Sequence, residues 1–397
     1  MNNIEIILKK DLCVGCFNCV RVCPFGALSQ QEKDFFQPRI DLNICKNCSK
    51  CLQVCPSFEK AENYAKEKPL DLFIGYCDDM ELTKNSSSGG VASMIAKKII
   101  EEGGCVYGAS MVFENEKLAC KHICINNLED IKMIQGSKYV QSYTFDAVSD
   151  CIKRIKNGEK VAFFGTSCQI HGLIKTLKGI DCTNLLLVDL VCHGVPKNSL
   201  FIDYVTYLEK KYKGTVIDLS FRQKSKKNKE INNYVIKATI SKSDKLINKS
   251  IPLRKSGYYR LFMSMAGYRP ACYSCRYANI YKPSDITLGD FYRHEHKNIP
   301  LYQDTSLVMV NSLKGKRIID NLPSLRLEQV TIDEVLKTHE QLVRPSLINK
   351  RGAKMMKIYY RNGFKGVQRY ISFKNIVFFL PSLARNILVN CFKAIKR

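Results

Sequence analysis

The sequence predicts an α/β protein in two parts: a small N-terminal module organised by cysteines, then a largely parallel-sheet domain with a β-hairpin excursion. Two observations predict this. The pattern Cys-x2-Cys-x2-Cys-x3-Cys-Pro occurs twice between Cys13 and Pro56, and from Leu72 onward apolar strand-like runs alternate with turns and helical patterns. At 397 residues and 45% hydrophobic content the chain can bury a sizeable core and build two or three domains.

In chain order, residues 1–60 read as the cysteine module, 61–70 as a charged linker, 71–340 as the α/β domain and 341–397 as a basic amphipathic tail. The domain begins with LFIGYC, a Ser/Gly turn, the helical pattern VASMIAKKIIEE and the run CVYGASMVF. KVAFFG, QIHGLIKTL, NLLLVDLVC and a helix over 198–211 continue the rhythm. Strand, turn and helix in succession imply parallel strands with functional loops at their ends. Between Ser220 and Ser250 the lysine-rich KSKKNKE, flanked by the alternating VIDLSFR and YVIKATIS, reads as the hairpin. SLVMVNS then returns to the strand type.

Charge and cysteine content narrow the function classes. The net charge of +25 comes from 62 Lys and Arg against 37 Asp and Glu, and 11 of those bases, with no acid, fall between Arg351 and Arg397. The rest of the excess forms no basic stripe with interleaved aromatics, so a solvated lysine-rich surface is expected and no nucleic-acid partner. No stretch supplies the ~20 apolar residues of a membrane span. FKNIVFFLPSLARNILVNCF mixes apolar and basic residues, which fits either peripheral contact with an anionic membrane or a helix packed on the domain and broken at Pro381. The 19 cysteines, an odd number, follow an N-terminus without a secretory pattern. Disulfides are rare in a reducing cytosol, so metal binding in the cytoplasm, that of an anaerobe, is expected, with contact at the inner membrane face as the variant the tail suggests.

The spacing Cys13-x2-Cys16-x2-Cys19-x3-Cys23-Pro24 returns as Cys45-x2-Cys48-x2-Cys51-x3-Cys55-Pro56, a period of 32 residues. It resembles the bacterial ferredoxin run, in which three close cysteines wrap one 4Fe–4S cluster and the fourth crosses to the other. The resemblance implies two clusters, one on Cys13, Cys16, Cys19 and Cys55, the other on Cys45, Cys48, Cys51 and Cys23. Zinc is the alternative, but it needs only four ligands per site and does not call for the doubled pattern.

Further along stand Asn85-Ser-Ser-Ser-Gly-Gly90, Gly136-Ser-Lys-Tyr-Val-Gln-Ser142, Gly165-Thr-Ser-Cys-Gln169, Val191-Cys-His-Gly-Val-Pro196, Cys272-x2-Cys275-Arg-Tyr-Ala278 and Asp285-Ile-Thr-Leu-Gly-Asp-Phe291. As an ordered set, from about Leu72 to Leu336, they resemble the family of coenzyme F420 hydrogenase/dehydrogenase beta subunits. That resemblance implies an oxidoreductase that binds FAD and at least one iron–sulfur cluster, and passes electrons between a carrier and a hydride-accepting substrate. The physical reading of the residues agrees with FAD: Ser87, Ser88, Gly89 and Gly90 precede a helix whose N-terminus suits a pyrophosphate. Ser137, Lys138, Tyr139, Gln141 and His193 complete the expected FAD contacts. Asp285 and Asp290 flank a strand end and are read as orienting FAD or the nearby cluster.

Cys168 and Cys192 end predicted strands and Cys272 and Cys275 form a CxxC, so a third 4Fe–4S cluster on these four is expected, against two buried thiols and a separate pair. Cys77, Cys105, Cys120, Cys124, Cys151, Cys182 and Cys391 read as small hydrophobes. His171, His294 and His296 read as helix or loop residues. No catalytic residue is singled out. The expected partner is a redox protein or a small-molecule donor or acceptor. The competing functions are a non-catalytic relay for a partner dehydrogenase and a reductase in cell-surface polysaccharide synthesis. Anaerobically purified protein is expected to carry about twelve irons per chain, and a Cys272→Ser/Cys275→Ser double variant about four fewer, by iron assay.

Overall fold

A left-handed backbone turn opens each half of the cysteine repeat. Gly15 (φ 74°) and Phe17 (φ 57°) in the first half correspond, 32 residues on, to Asn47 (φ 51°) and Ser49 (φ 65°) in the second, and each turn feeds a one-turn helix, Asn18–Arg21 and Lys50–Gln53. The repeat in sequence is thus a repeat in conformation. The computed structural model describes residues 2–32, 34–58, 67–224, 234–243, 245–291 and 304–379, with backbone alone for 376–379. Strands β1 (Leu28–Glu32) and β2 (Phe36–Ile40) pair antiparallel and close the module, whose core gathers Ile4, Ile7, Leu28 and Leu52 around Cys19, Cys51 and Cys55.

The α/β domain is built on β3 (Asp71–Cys77), β4 (Cys105–Glu114), β5 (Lys117–Ile125), β6 (Val161–Thr166), β7 (Leu185–Leu190), β11 (Ile286–Phe291), β12 (Thr305–Val310) and β13 (Leu325–Gln329). Their order across the sheet is β13-β3-β12-β11-β7-β6-β4-β5. The centre, β4-β6-β7-β11, is parallel as expected, while β5 on one side and β12, β3 and β13 on the other run antiparallel to their neighbours. The sheet is therefore mixed. One reason is local: Asn115 and Glu116 both take positive φ, 50° and 59°, and such a two-residue turn can only return the chain antiparallel.

Helices cover both faces of the sheet. Val91–Glu101 and Leu313–Asp320 pack on one, with Ile95, Val106, Val188 and Val308 in that core; Phe145–Lys156 and Ser167–Thr176 pack on the other over Phe163, Ile170 and Leu185. Burial on both sides explains why LLLVDL and TSLVMV are apolar runs rather than alternations.

The expected hairpin excursion is a three-stranded antiparallel sheet, with β8 (Thr215–Lys224), β9 (Tyr234–Lys242) and β10 (Lys245–Pro252) in the order β10-β9-β8. KSKKNKE lies outside the described residues, as does most of the linker. This sheet shares a core with helices Asn198–Tyr212 and Gly257–Phe262 and with a long helix, Lys350–Phe379, broken at Gly363. The expectation of a tail from residue 341 is corrected here. Met355, Met356, Phe364, Val367 and Ile371 recur at helical spacing and are buried against Tyr204, Tyr258 and Ile236, so the polar face of a packed helix carries the charges that suggested a tail. Pro381 and the rest of the apolar-basic stretch lie outside the described residues. Among the described residues no helix is long and apolar enough to cross a membrane.

Gly89 joins the sheet to the Ser/Gly turn. A Cβ there would fall 2.3 Å from the Gly75 carbonyl oxygen and 2.9 Å from the Ser306 nitrogen, both backbone atoms of the sheet. Gly89→Ala is therefore expected to destabilise the fold by about 1–3 kcal/mol, measured as a fall in the urea midpoint.

Candidate functional site

In the module the left-handed turn at Gly15 and Phe17 curls the chain so that the first cysteines face a common centre. Cys16 is repelled by Cys13 and Cys55, and Cys19 by Cys16, Cys13, Cys55 and Cys51. Burial, then this mutual repulsion, drives the thiols up, Cys55 to about 12. Cys23, Cys45, Cys48 and Cys51 line one open hollow together with Asn3, Lys46 and Lys50. The fourth cysteine of each run thus lies with the other run's triplet, the crossing that the ferredoxin pattern implies.

Cysteines that converge in two sets of four, each set drawing its fourth member from the other run, are the donor chemistry that an iron–sulfur core requires. The residues present fit two clusters. Zinc would draw its four donors to within about 2.3 Å of one point, and among the described residues no group of three or more His, Cys, Asp or Glu side chains is placed to hold a single metal ion.

The structure brings Cys168, Cys192, Cys272 and Cys275 together. Cys168 opens the helix Ser167–Thr176 directly after β6, Cys192 follows β7, and Cys272 and Cys275 lie on and just beyond the short helix Pro270–Tyr273. Adjacent parallel strand ends deliver the first two to one crevice. Every pair among the four is close enough to feel the other's charge. Burial leads the causes that push Cys168 up to about 11 and Cys272 up to about 12. Cys192 is exposed as a residue, and its thiol is driven up by burial first and then by the charges of Cys272 and Cys168.

Two buried cations flank this set. Lys282 donates from Nζ to the Tyr277 carbonyl at 2.8 Å and faces the fully buried Asp189, whose Oδ2 accepts from Ser167 Oγ at 2.5 Å. Arg269 stands on the module side. The first and third sets are neighbours: Cys16 feels Cys168, a Cβ on Gly172 would lie 3.6 Å from Cys16 Sγ, and Asn18 Nδ2 donates to the Gly172 carbonyl at 2.6 Å.

The expected FAD residues fall into two places. Ser87 Oγ accepts from the Ser137 N–H at 2.8 Å, which ties the turn over 85–90 to Lys138, and Gly90 (φ 82°) starts the helix Val91–Glu101. Lys138 is half-buried, donates to the Gln135 carbonyl at 2.6 Å and is lowered to about 8 by burial. Tyr139 stacks on Phe262 at 4.3 Å, and His193 lies 6.2 Å from the same ring, so an aromatic row runs from this turn towards Cys192. Four of the expected residues have partners within the protein. The Gly89 N–H is given to Ser306 Oγ at 3.1 Å and Ser88 Oγ lies 2.9 Å from the same hydroxyl, so these two serve the sheet. Gln141 is buried at the module contact, where Nε2 donates to the Val14 carbonyl and Oε1 accepts from Arg269. The Asp285 carboxylate accepts from the Leu187 N–H and Ser312 Oγ, a structural tie.

Asp290 pairs with Arg222, and its carbonyl accepts from His339 Nε2 at 2.7 Å. Sequence reasoning missed Arg222, Arg269, Lys282 and His339, which carry no spacing signal; the position of Arg269 three residues before the CxxC is the only clue. Cys105, Cys124, Cys151 and Cys182 share one core cluster, and Cys77 and Cys120 are buried. His171 Nδ1 meets Tyr277 Oη at 2.8 Å. Cys391, His294 and His296 lie outside the described residues.

His122 also lies near Lys138. It is buried, stacks on Phe163 and donates from Nε2 to the Phe164 carbonyl at 2.7 Å, leaving Nδ1 unpartnered, and burial lowers it to about 4. The unfolded chain takes up this proton near pH 6.5 and the folded chain only near 4, so stability is lost as pH falls across that window, by at most about 3 kcal/mol. His122→Gln is expected to flatten the dependence of the urea midpoint on pH between 6.5 and 4.

Residues 12–58 match a 4Fe-4S dicluster domain. Residues 72–149 and 158–334 match the N-terminal and C-terminal parts of the coenzyme F420 hydrogenase/dehydrogenase beta subunit. A subunit of the F(420)H(2) dehydrogenase of Methanosarcina mazei is 22% identical over 210 residues, covering 51% of this chain and 59% of that protein. A chain of the F420-reducing NiFe hydrogenase complex from Methanosarcina barkeri aligns with a TM-score of 0.45 at 16% identity, over 76% of this chain and 95% of that one. The chain belongs to the family of coenzyme F420 hydrogenase/dehydrogenase beta subunits, with a 4Fe–4S dicluster domain in front.

Proposed function

We propose that the chain is an iron–sulfur flavoprotein oxidoreductase. Electrons enter or leave at the module, pass a third cluster on Cys168, Cys192, Cys272 and Cys275, and reach FAD held beside Ser87, Ser137, Lys138 and Tyr139. The observation that carries this reading is the series of three cysteine sets. Cys51 of the outer set neighbours Cys19 of the inner set, and Cys16 of the inner set neighbours Cys168 of the third. A single electron carrier needs no such series; it serves to move charge from a surface into a domain.

When bound, clusters supply one-electron steps and a flavin converts between these and a hydride. The chain's own part is placement and electrostatics. Lys46 and Lys50 border the outer set, where Cys48 is exposed, so a negatively charged redox partner is favoured there. Arg269 and Lys282 offer positive charge to the inner sets. Lys138 is half-buried beside the turn over 85–90 and supplies a cation for a pyrophosphate.

The relay without flavin is favoured by one observation, the commitment of Ser88 and Gly89 to Ser306. Extraction of the clusters separates the two readings. A flavin absorption and fluorescence spectrum in the released fraction is expected, and its absence would establish the relay. Lys138→Met is expected to weaken flavin retention about tenfold, the worth of one charge-assisted contact.

A further inference from the structure

Arg269 is a buried cation without an anion. It is 3% exposed, and its three hydrogen bonds go to neutral acceptors: Nη1 to the Cys13 carbonyl at 2.9 Å, Nη2 to the Phe36 carbonyl at 2.8 Å and to Gln141 Oε1 at 2.6 Å. The guanidinium lies 4.9 Å from the centre of the Phe35 ring, Nε has no partner, and no carboxylate among the described residues pairs with it. The space is made for it, since a Cβ on Gly15 would lie 2.7 Å from Nη2.

Two other cations near these sets are compensated, Lys282 by Asp189 and Lys197 by Asp34. Taking a guanidinium out of water with no counter-charge is strongly unfavourable. The groups whose charge does reach it are Cys13 and Cys16 of the inner module set and Cys272 and Cys168 of the third set. Thiolate-bound clusters at these two sets would be the missing anions, one on each side of a single cation.

We propose that Arg269 is a positioning residue for electron transfer, a fixed positive charge shared by the inner module cluster and the third cluster. Reduction adds one electron, and so one negative charge, to a cluster. A cation held between two clusters stabilises that charge on either of them, raising both potentials together and leaving the passage of the electron between them without an electrostatic step. The proposal rests on the third-cluster reading, and it sets the outer cluster apart, since the cysteines whose charge acts most on Arg269 all belong to the inner and third sets.

The test is an anaerobic redox titration of the full chain, followed by electron paramagnetic resonance, on wild type, Arg269→Gln and Arg269→Lys, with iron content measured on each. For Arg269→Gln the reduction equilibrium constants of the inner and third clusters are expected to fall about tenfold, about 59 mV for one electron, with the outer cluster unchanged. Arg269→Lys, which keeps the charge and loses the fork, is expected to stay within about threefold of wild type. Unchanged potentials in Arg269→Gln, or an equal fall at all clusters, would overturn the proposal.

Should Arg269→Gln fail to retain iron, Arg269→His is read across pH. The inner-cluster potential is then expected to fall as the imidazolium deprotonates, and a pH-independent potential would overturn the proposal. Wild-type iron near eight per chain with only two cluster signals would instead remove the third-cluster reading, while the inner-cluster shift would still decide the role of Arg269.

Discussion

The contact between the cysteine module and the α/β domain governs the rest of the structure, because it sets which cysteines become neighbours. It is dense and polar. Asn18 reaches the Gly172 carbonyl, Arg21 reaches the Phe145 carbonyl and Ser149, Arg276 reaches the Pro56 carbonyl, and Asp34 accepts from Lys197 and Ser199. These bonds come from both ends of the module and land on separate elements of the domain. These contacts set the approach of Cys16 to Cys168. Asp34 and Lys197 are partly exposed and contribute little by themselves; the buried Asn18 and Arg269 contacts hold the register.

From that contact the layout of the site follows. The parallel centre of the sheet places the ends of β6 and β7 side by side, so Cys168 and Cys192 share a crevice, and the segment from Arg269 to Cys275 closes it from the opposite side. The antiparallel flanks do other work. β12 and β3 carry Ser306 and Gly75, which seat the Ser/Gly turn against the sheet. The second sheet and the helix Lys350–Phe379 hold Tyr258 and Phe262, and through them the aromatic row beside Cys192. Each layer thus meets the line of cysteines at a different point.

Much of this was legible in the sequence, for physical reasons that differ by region. The doubled cysteine spacing is rigid because cluster ligation tolerates few alternatives, and the repeat reappears even in the backbone angles of Phe17 and Ser49. Cys168, Cys192, Cys272 and Cys275 could be grouped because strand ends in a parallel sheet converge. The direction of the outer strands could not be read, since a buried apolar strand looks the same in either sense, and the turn at Asn115 and Glu116 lacks the glycine that usually marks it. The internal partners of Gln141 and Gly89 could not be read, because a motif gives residues in order but not the face each turns to. Arg269 showed only as a flank of the CxxC and Lys282 not at all: a lone basic residue in a basic chain carries little signal until its burial is known. Charge likewise hid the packed face of the last helix.

The chain's central property is then a line of three cysteine sets, begun at an exposed edge of the module and ended inside the α/β domain, with a buried guanidinium between the second and third. Crystals of the anaerobically purified protein, measured at the iron absorption edge, test it most directly. Three anomalous peaks are predicted, one at each set, with the peak at Cys168, Cys192, Cys272 and Cys275 adjacent to the one at Cys13, Cys16, Cys19 and Cys55 and with Arg269 between them. Two peaks confined to the module, with four free thiols in the domain, would contradict it.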